Sequence, residues 1–394
     1  MMNDQLAEIS RFLYSPVTVA LYFAAAFTYL VALTTTVGRR ESSVRGRRAQ
    51  QVGAVLAMAG VGGHVAHEIV RGLAQSRFPL GNMFEVTSLM ALVGVAGGVG
   101  YLQFVRRRGE LNGFVLLAGG LLMAFAGLMY AEPGPLMPIL DTWWRHFHVS
   151  LLVGAMGVFA AGFVFNTLYL LRERADRRLE AHHRVPVASG GGVDLGASEA
   201  RAVGGLEDHE DDLPDAPGSV ATADRSTFGL QRRGTSVLWL TVGTFVGTGL
   251  VSWVFIVSAS DVTWGVARFL GINLAMVAAA LVARWFVPFL PSADTLDGLA
   301  HRTIVFAFVI WTVGTIAGAM WAEQSWGRFW GWDPKETGAF LTWIAYAGYL
   351  HARATRGVRG RRAAWIGVGA FFTLMATYLI ANYVIVGFHS YAGI

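Results

Sequence analysis

"TIVFAFVIWTVGTIAGAMWAEQSWGRFWGWDPKE", residues 303–336, opens with twenty residues that carry no charge and has four tryptophans, an arginine, an aspartate, a lysine and two glutamates in its last sixteen. The first part is long enough for one α-helix to cross a hydrocarbon layer of about 30 Å. Runs of the same kind recur at 14–37, 50–70, 83–105, 112–130, 148–171, 235–258, 265–290, 337–353 and 363–387, which predicts ten spans in all. The whole chain is 54% hydrophobic and only 14% charged over 394 residues, far from the usage of soluble domains. The expected fold class is therefore all-α, a polytopic integral membrane protein with about ten transmembrane helices and an external tryptophan-rich segment. The first run lacks a basic head and a small-residue cleavage site, so it is read as a retained helix and not a signal peptide.

Arginines set the expected orientation, because positive charge stays on the cytoplasmic side. The clusters at 39–48, 106–108, 172–178, 231–233 and 353–362 alternate with loops that hold only Arg71, Arg77, Arg145, Arg328 and Lys335. The N-terminus, the tryptophan segment and the C-terminus are thus expected outside, in a multi-pass protein of the plasma membrane. The net charge of +5 resides in the inner loops and requires no nucleic acid partner.

Between 172 and 234 the composition turns to Gly, Ala, Ser, Pro and alternating charge ("ASGGGVDLGASEARAVGG", "LEDHEDDLPDAPGS"), too polar to offset the entropy of ordering. This segment reads as a disordered cytoplasmic linker. It separates an N-terminal block of five spans (1–171) from two further spans (235–290) and a final core (291–394). The histidines of the linker, His182, His183 and His209, read as solvated.

The absence of cysteine excludes disulfides, thiolate metal sites and a haem-attachment motif of the chain's own. Metal chemistry must then use histidine or carboxylate. Trp321, Trp326, Trp330 and Trp332 could form an ordinary interfacial belt, but a belt does not call for Arg328, Asp333, Lys335 and Glu336 among its rings. Flat aromatic faces exclude water from a planar ligand, and Arg328 and Lys335 suit carboxylates at its edge. A macrocycle with propionates, haem b, fits that description, and imidazole is its obvious axial donor here. His148 and His389 fall on the same expected face as the tryptophans. His351 and His301 fall at the opposite face, where His351 is a candidate ligand for an inner haem and His301 is as readily a headgroup contact. His64 and His67, three apart on one helix, share a face; the pair reads first as a polar packing stripe, with His67 a weaker candidate ligand. His146 reads as a headgroup or propionate contact.

At these residues the chain resembles a known family. "LDGLAHRTIVFAFVIWTVGTIAGAMWAEQSWGRFWGWDPKETGAFLTWIAYAGYLHARATRGVRGRRAAWIG" and "GFHSYAGI", with "SRFPLGNMFE" and "PLMPILDTWWRHFHV" more thinly, are similar to the tryptophan-rich (WWD) haem-handling proteins, and most to the CcsA/ResC proteins of cytochrome c maturation, called CcsB in many actinobacteria. The resemblance implies that haem passes outward and is attached through its vinyl groups to the CxxCH cysteines of an apocytochrome c. It implies outer axial ligands at His148 and His389 and an inner ligand at His351, with a ResB-type membrane partner completing the enzyme and a thiol reductant protein serving it. A haem exporter or chaperone without ligation activity, and a haem-bearing quinone electron-transfer subunit, are the alternatives. Gly338 replaces a common tryptophan of the family, which predicts a looser cradle; His301 stands where tyrosine is common, and 235–290 has no clear counterpart.

Overall fold

The computed structural model describes residues 2–36, 44–134, 142–184, 231, 234–385 and 387. Among them there is no strand. The helices are α1 (Met2–Phe12), α2 (Ala20–Thr36), α3 (Val44–Gln75), α4 (Met83–Gly100), α5 (Asn112–Gly127), α6 (Trp143–Arg184), α7 (Val237–Ser252), α8 (Val254–Val257), α9 (Val262–Trp285), α10 (Ala293–Trp326), α11 (Pro334–Arg356) and α12 (Gly360–Tyr383). A π-helical stretch, Leu13–Val19, joins α1 to α2 around Pro16; a proline removes one backbone donor and forces such a widening. A 3-10 turn, Val287–Phe289, separates α9 from α10.

Each of the ten predicted runs coincides with helix over most of its described residues. Among the described residues, eight stretches are long and apolar enough to cross a membrane: Met2–Thr35, Val44–Gln75, Met83–Val105, Gly109–Gly127, Trp143–His182, Val262–Trp285, Ala293–Trp326 and Gly360–Tyr383. The other two differ for physical reasons. Helix α7 has only 16 residues, about 24 Å at 1.5 Å per residue. Helix α11 carries Lys335, Glu336, Arg353 and Arg356 at its ends and His351 between, so its polar face breaks the apolar pattern. Helix α6 runs 42 residues to Arg184, thirteen beyond the predicted end of its span. Ion pairs one turn apart, Arg172 to Asp176 at 3.0 Å and Arg177 to Glu173 at 2.8 Å, lace that polar extension. The rest of the expected linker, 185–230 and 232–233, lies outside the described residues.

In lipid, helices gain little from leaving a solvent that is itself apolar, so association depends on close packing and small residues. At Gly94 and Gly157 α4 meets α6 so closely that a Cβ on Gly157 would stand 2.6 Å from the Met90 carbonyl oxygen. Antiparallel α6 and α10 form the spine: Leu151 and Leu152 lie over Gly314, and Gly162 lies over Ile304. Phe159 stacks on Tyr346 of α11 at 3.7 Å, and Phe163 on Phe371 of α12 at 4.5 Å. A second cluster, with Tyr14, Tyr22, Tyr29, Phe84 and Met123, fills the space among α2, α3, α4 and α5. The outward surface is rich in apolar side chains, Phe27, Trp239, Leu250 and Leu274 among them, as a lipid-facing surface requires.

Candidate functional site at the tryptophan end of the bundle

Helix α10 ends at Gly327, whose φ of 67° gives the left-handed cap and whose N–H donates to the Glu323 carbonyl. The chain then turns through Arg328–Trp332 and re-enters helix at α11. Asp333 is the N-cap: its Oδ1 accepts from the Lys335 N–H at 3.0 Å, and Glu336 Oε2 accepts from the N–H groups of Asp333 (3.1 Å) and Gly331 (2.7 Å). This is a capping box with Pro334 in the first turn. The acidic residues of the motif are therefore occupied in building its backbone. Arg328 folds over Gly331, where a Cβ would coincide with its guanidinium. Trp332 holds a φ of 57°, a conformation rare for a bulky residue, and is 67% exposed.

The aromatic rings divide into two groups. Trp321, buried, lies 5.7 Å from Trp326 at 48° and 6.1 Å from the His148 ring. Trp330 and Trp332 meet at 5.8 Å and 90°, and both abut Phe340, which lies parallel to Trp343 of α11. Rings at right angles cannot share one planar ligand face. Trp330 and Trp332 therefore meet in an aromatic corner on α11, while Trp321 and Trp326 stand beside His148.

His148 sits in a groove that Gly314 and Gly318 open on α10; a Cβ on Gly318 would lie 2.5 Å from its ring. Its Nδ1 donates to the Gly314 carbonyl at 2.7 Å. That bond fixes the tautomer that leaves the lone pair on Nε2, the form suited to a metal. His146, two residues earlier, has Nδ1 on the Thr142 carbonyl (2.9 Å) and Nε2 against the Arg145 guanidinium (3.0 Å), an arrangement for holding Arg145.

His389 lies outside the described residues. Gly387, two positions before it, rests on the motif turn: a Cβ there would stand 2.4 Å from Asp333 Oδ2 and 2.7 Å from Pro334 Cδ. Only a glycine admits that approach. Gly387 is thereby held against the tryptophan turn.

Lys335, half-buried at the start of α11, has its pKa pushed down to about 8 by burial, against the opposing pull of the Asp333 carboxylate. Since its ordinary value is higher, the folded protein binds the proton less well than the unfolded chain between about pH 8 and the ordinary lysine value of 10.5. The destabilisation is full below about pH 8 and is relieved as pH rises through that window. Lys335→Gln should accordingly raise the unfolding temperature most at pH 7 and progressively less above pH 8, in thermal scans of the apo protein across pH. An advantage constant with pH would contradict this.

The remaining histidines are elsewhere. His301 and His351 lie toward the opposite end; the His301 ring is 6.0 Å from Tyr349, and His351 is exposed on α11. Beside them Arg353 grips Asp297 with two 2.8 Å bonds. His64 and His67 are buried among α1 to α4: His64 bonds Tyr22 and Ser88, and His67 Nδ1 donates to the Ser10 carbonyl. These are the contacts of a packing stripe, with His67 Nε2 buried and lacking a hydrogen-bond partner among the described residues. Gly338 is buried, and Thr377 of α12 donates to its carbonyl at 3.1 Å; a Cβ there would lie 2.2 Å from Thr377 Cγ2. In place of a looser cradle, the missing side chain allows α11 and α12 to close.

One feature escaped the sequence reading. Glu85, fully buried, is held by Arg71 (2.9 Å) and Arg77 (2.9 Å), while buried Arg145 donates to the Leu80 carbonyl (3.0 Å). Charges flanking apolar runs were visible, and such charges are costly at membrane depth, but nothing in the spacing pairs 71, 77 and 85.

The chain is similar to characterised sequences over this whole region and beyond. It is 29% identical to the cytochrome c biogenesis protein CcsA of Gloeobacter violaceus over 391 residues, covering 98% of this chain and 95% of that one. Shorter, stronger matches are to the CcsA proteins of Synechococcus elongatus (43% over 149 residues, 38% of this chain and 46% of that protein) and of a Picosynechococcus strain (50% over 99 residues, 25% and 29%). Residues 80–389 match the family described as cytochrome C assembly protein, a span that takes in Glu85, both helices of the spine, the tryptophan turn and the two helices after it. With that span matched, the chain belongs to the cytochrome c assembly protein family, and its role is in cytochrome c biogenesis.

Proposed function

We propose that the protein carries haem b as its substrate, presents it at the tryptophan end on the outer face of the plasma membrane, and acts with a ResB-type partner to attach it to apocytochrome c. The observation that supports this most is His148, its Nδ1 on Gly314 and its ring beside Trp321, at the same end as the turn on which Gly387 rests. In this reading His148 and His389 approach the iron from two sides. The Trp321–Trp326 pair excludes water from one edge, while Arg328 and Lys335 neutralise propionates. A propionate beside Lys335 would also stabilise the charged form that burial disfavours. His351, exposed on α11, serves an inner site whose second ligand comes from the partner.

The chain's own residues bind and orient; none acts as a nucleophile. Each CxxCH thiol adds across a vinyl group, its sulfur bonding to one vinyl carbon and its proton ending on the other, with no net oxidation. The rate gain is then one of positioning. Having no cysteine, the protein cannot keep those thiols reduced, and a separate thiol reductant protein is required.

The test is reconstitution of the full-length chain with its partner, reduced haem and an apocytochrome with a CxxCH motif. The expected product is haem that stays with the cytochrome after acid–acetone extraction. Haem transferred but fully extractable would favour an exporter or chaperone. Reversible cycling with quinol and no cytochrome product would favour electron transfer.

A further inference from the structure

We propose that Glu85 is a positioning residue for His148, acting through the loop that follows α3 and through Arg145. This rests on the reading of His148 as a haem ligand.

The Glu85 carboxylate is the meeting point of three chain segments. Its Oε2 accepts from Arg77 Nη1 at 2.9 Å and from the Gly81 N–H at 2.7 Å, and its Oε1 accepts from Arg71 Nε at 2.9 Å. The same two arginines reach outward, Arg71 to the Ala131 carbonyl (2.7 Å) and Arg77 to the Gly134 carbonyl (3.0 Å). The loop thus pinned includes Leu80, whose carbonyl receives Arg145 Nη1 at 3.0 Å. Arg145 is in the first turn of α6 and stands three residues before His148, so the two share one helix face about 4.5 Å apart along the axis. On its other side His148 is fixed by Gly314. The first turns of α6 are therefore held at two points, and one of them leads back to Glu85.

Packing alone does not call for this cluster. Buried ion pairs seldom stabilise more than apolar residues of the same size, and Glu85, Arg71 and Arg145 are all at most 2% exposed. What ions with directed hydrogen bonds supply, and apolar side chains do not, is a fixed angle. A metal-ligating imidazole needs that angle, and loss of such outer partners typically weakens metal affinity about 10- to 100-fold.

The experiment uses full-length protein purified with haem, in wild-type, Glu85→Gln, Arg145→Lys and His148→Ala forms, with haem titrations, optical spectra and electron paramagnetic resonance of the ferric state. Folding is checked by elution volume and helical circular dichroism. Glu85→Gln and Arg145→Lys are expected to remain folded, bind haem about 10- to 100-fold more weakly and shift the signal from low spin toward high spin. Added imidazole should restore low spin, which it would not do for a general loss of structure. A folded Arg145→Lys or Glu85→Gln protein with the wild-type spectrum and affinity overturns the inference while leaving the His148 reading intact. An unchanged spectrum in His148→Ala overturns that reading, and this inference with it. If Glu85→Gln does not accumulate, Arg145→Lys decides, since it retains the charge and leaves the carboxylate cluster whole.

Discussion

His148→Ala should abolish the low-spin haem spectrum of the purified protein and reduce holocytochrome formation to background, while leaving the fold in place. The side chain occupies a groove on the α6–α10 contact that Gly318 opens, and truncation removes its hydrogen bond to Gly314, worth about 1 kcal/mol. The helix pair has far more contact than that along its length. Loss of the metal ligand, by contrast, leaves the iron with one strong axial bond. Imidazole added to the medium should enter the space that the alanine vacates and return both spectrum and activity. Haem binding that survives the substitution unchanged would remove His148 from the site. Restoration by imidazole separates lost ligation from lost folding.

Gly157→Val should have the largest effect on stability. A Cβ at this position would lie 2.6 Å from the Met90 carbonyl oxygen and 2.9 Å from the Gly94 nitrogen. Both are backbone atoms, so no rotamer change can make room, and α4 must move away from α6. Overpacking ordinarily costs about 1–3 kcal/mol, and backbone collisions lie at the upper end. Gly94 and Gly157 also lie between the spine and the N-terminal helices, so separation there loosens the start of α4 and Glu85 with it. The expected result is a fall of several degrees in the thermal midpoint of detergent-solubilised protein, with haem affinity reduced as well. A variant as stable as wild type would show that α4 and α6 do not approach so closely.

Much of this architecture is legible in the residues. Helical runs announce themselves by composition, because a backbone in lipid must satisfy its own hydrogen bonds. The motif after Trp332 also had a readable local meaning: Asp, Pro and Glu at the N-cap, N1 and N3 positions of a helix are capping chemistry, and that is where Asp333, Pro334 and Glu336 stand. Orientation of rings was not legible. Trp330 and Trp332 are two apart in a turn whose left-handed residue at 332 rotates one indole against the other. Nor was the role of Gly338, since the residue it must admit, Thr377, is 39 positions away. The Glu85 cluster was hidden for the same reason: Arg145 reaches Leu80 across 65 residues, and pairing over such a distance has no local signature. Helix α6 outran its apolar run because paired charges can continue a helix where hydrophobic periodicity has stopped.

The spine has a mechanical corollary. Helix α10, at 34 residues, spans about 51 Å without a break, so His301 near one tip and Gly318 beside His148 are seated on the same rod, about 25 Å apart. Such a rod transmits a twist more readily than it absorbs one. A rotation applied to α10 near His301 would turn the groove under His148 with it.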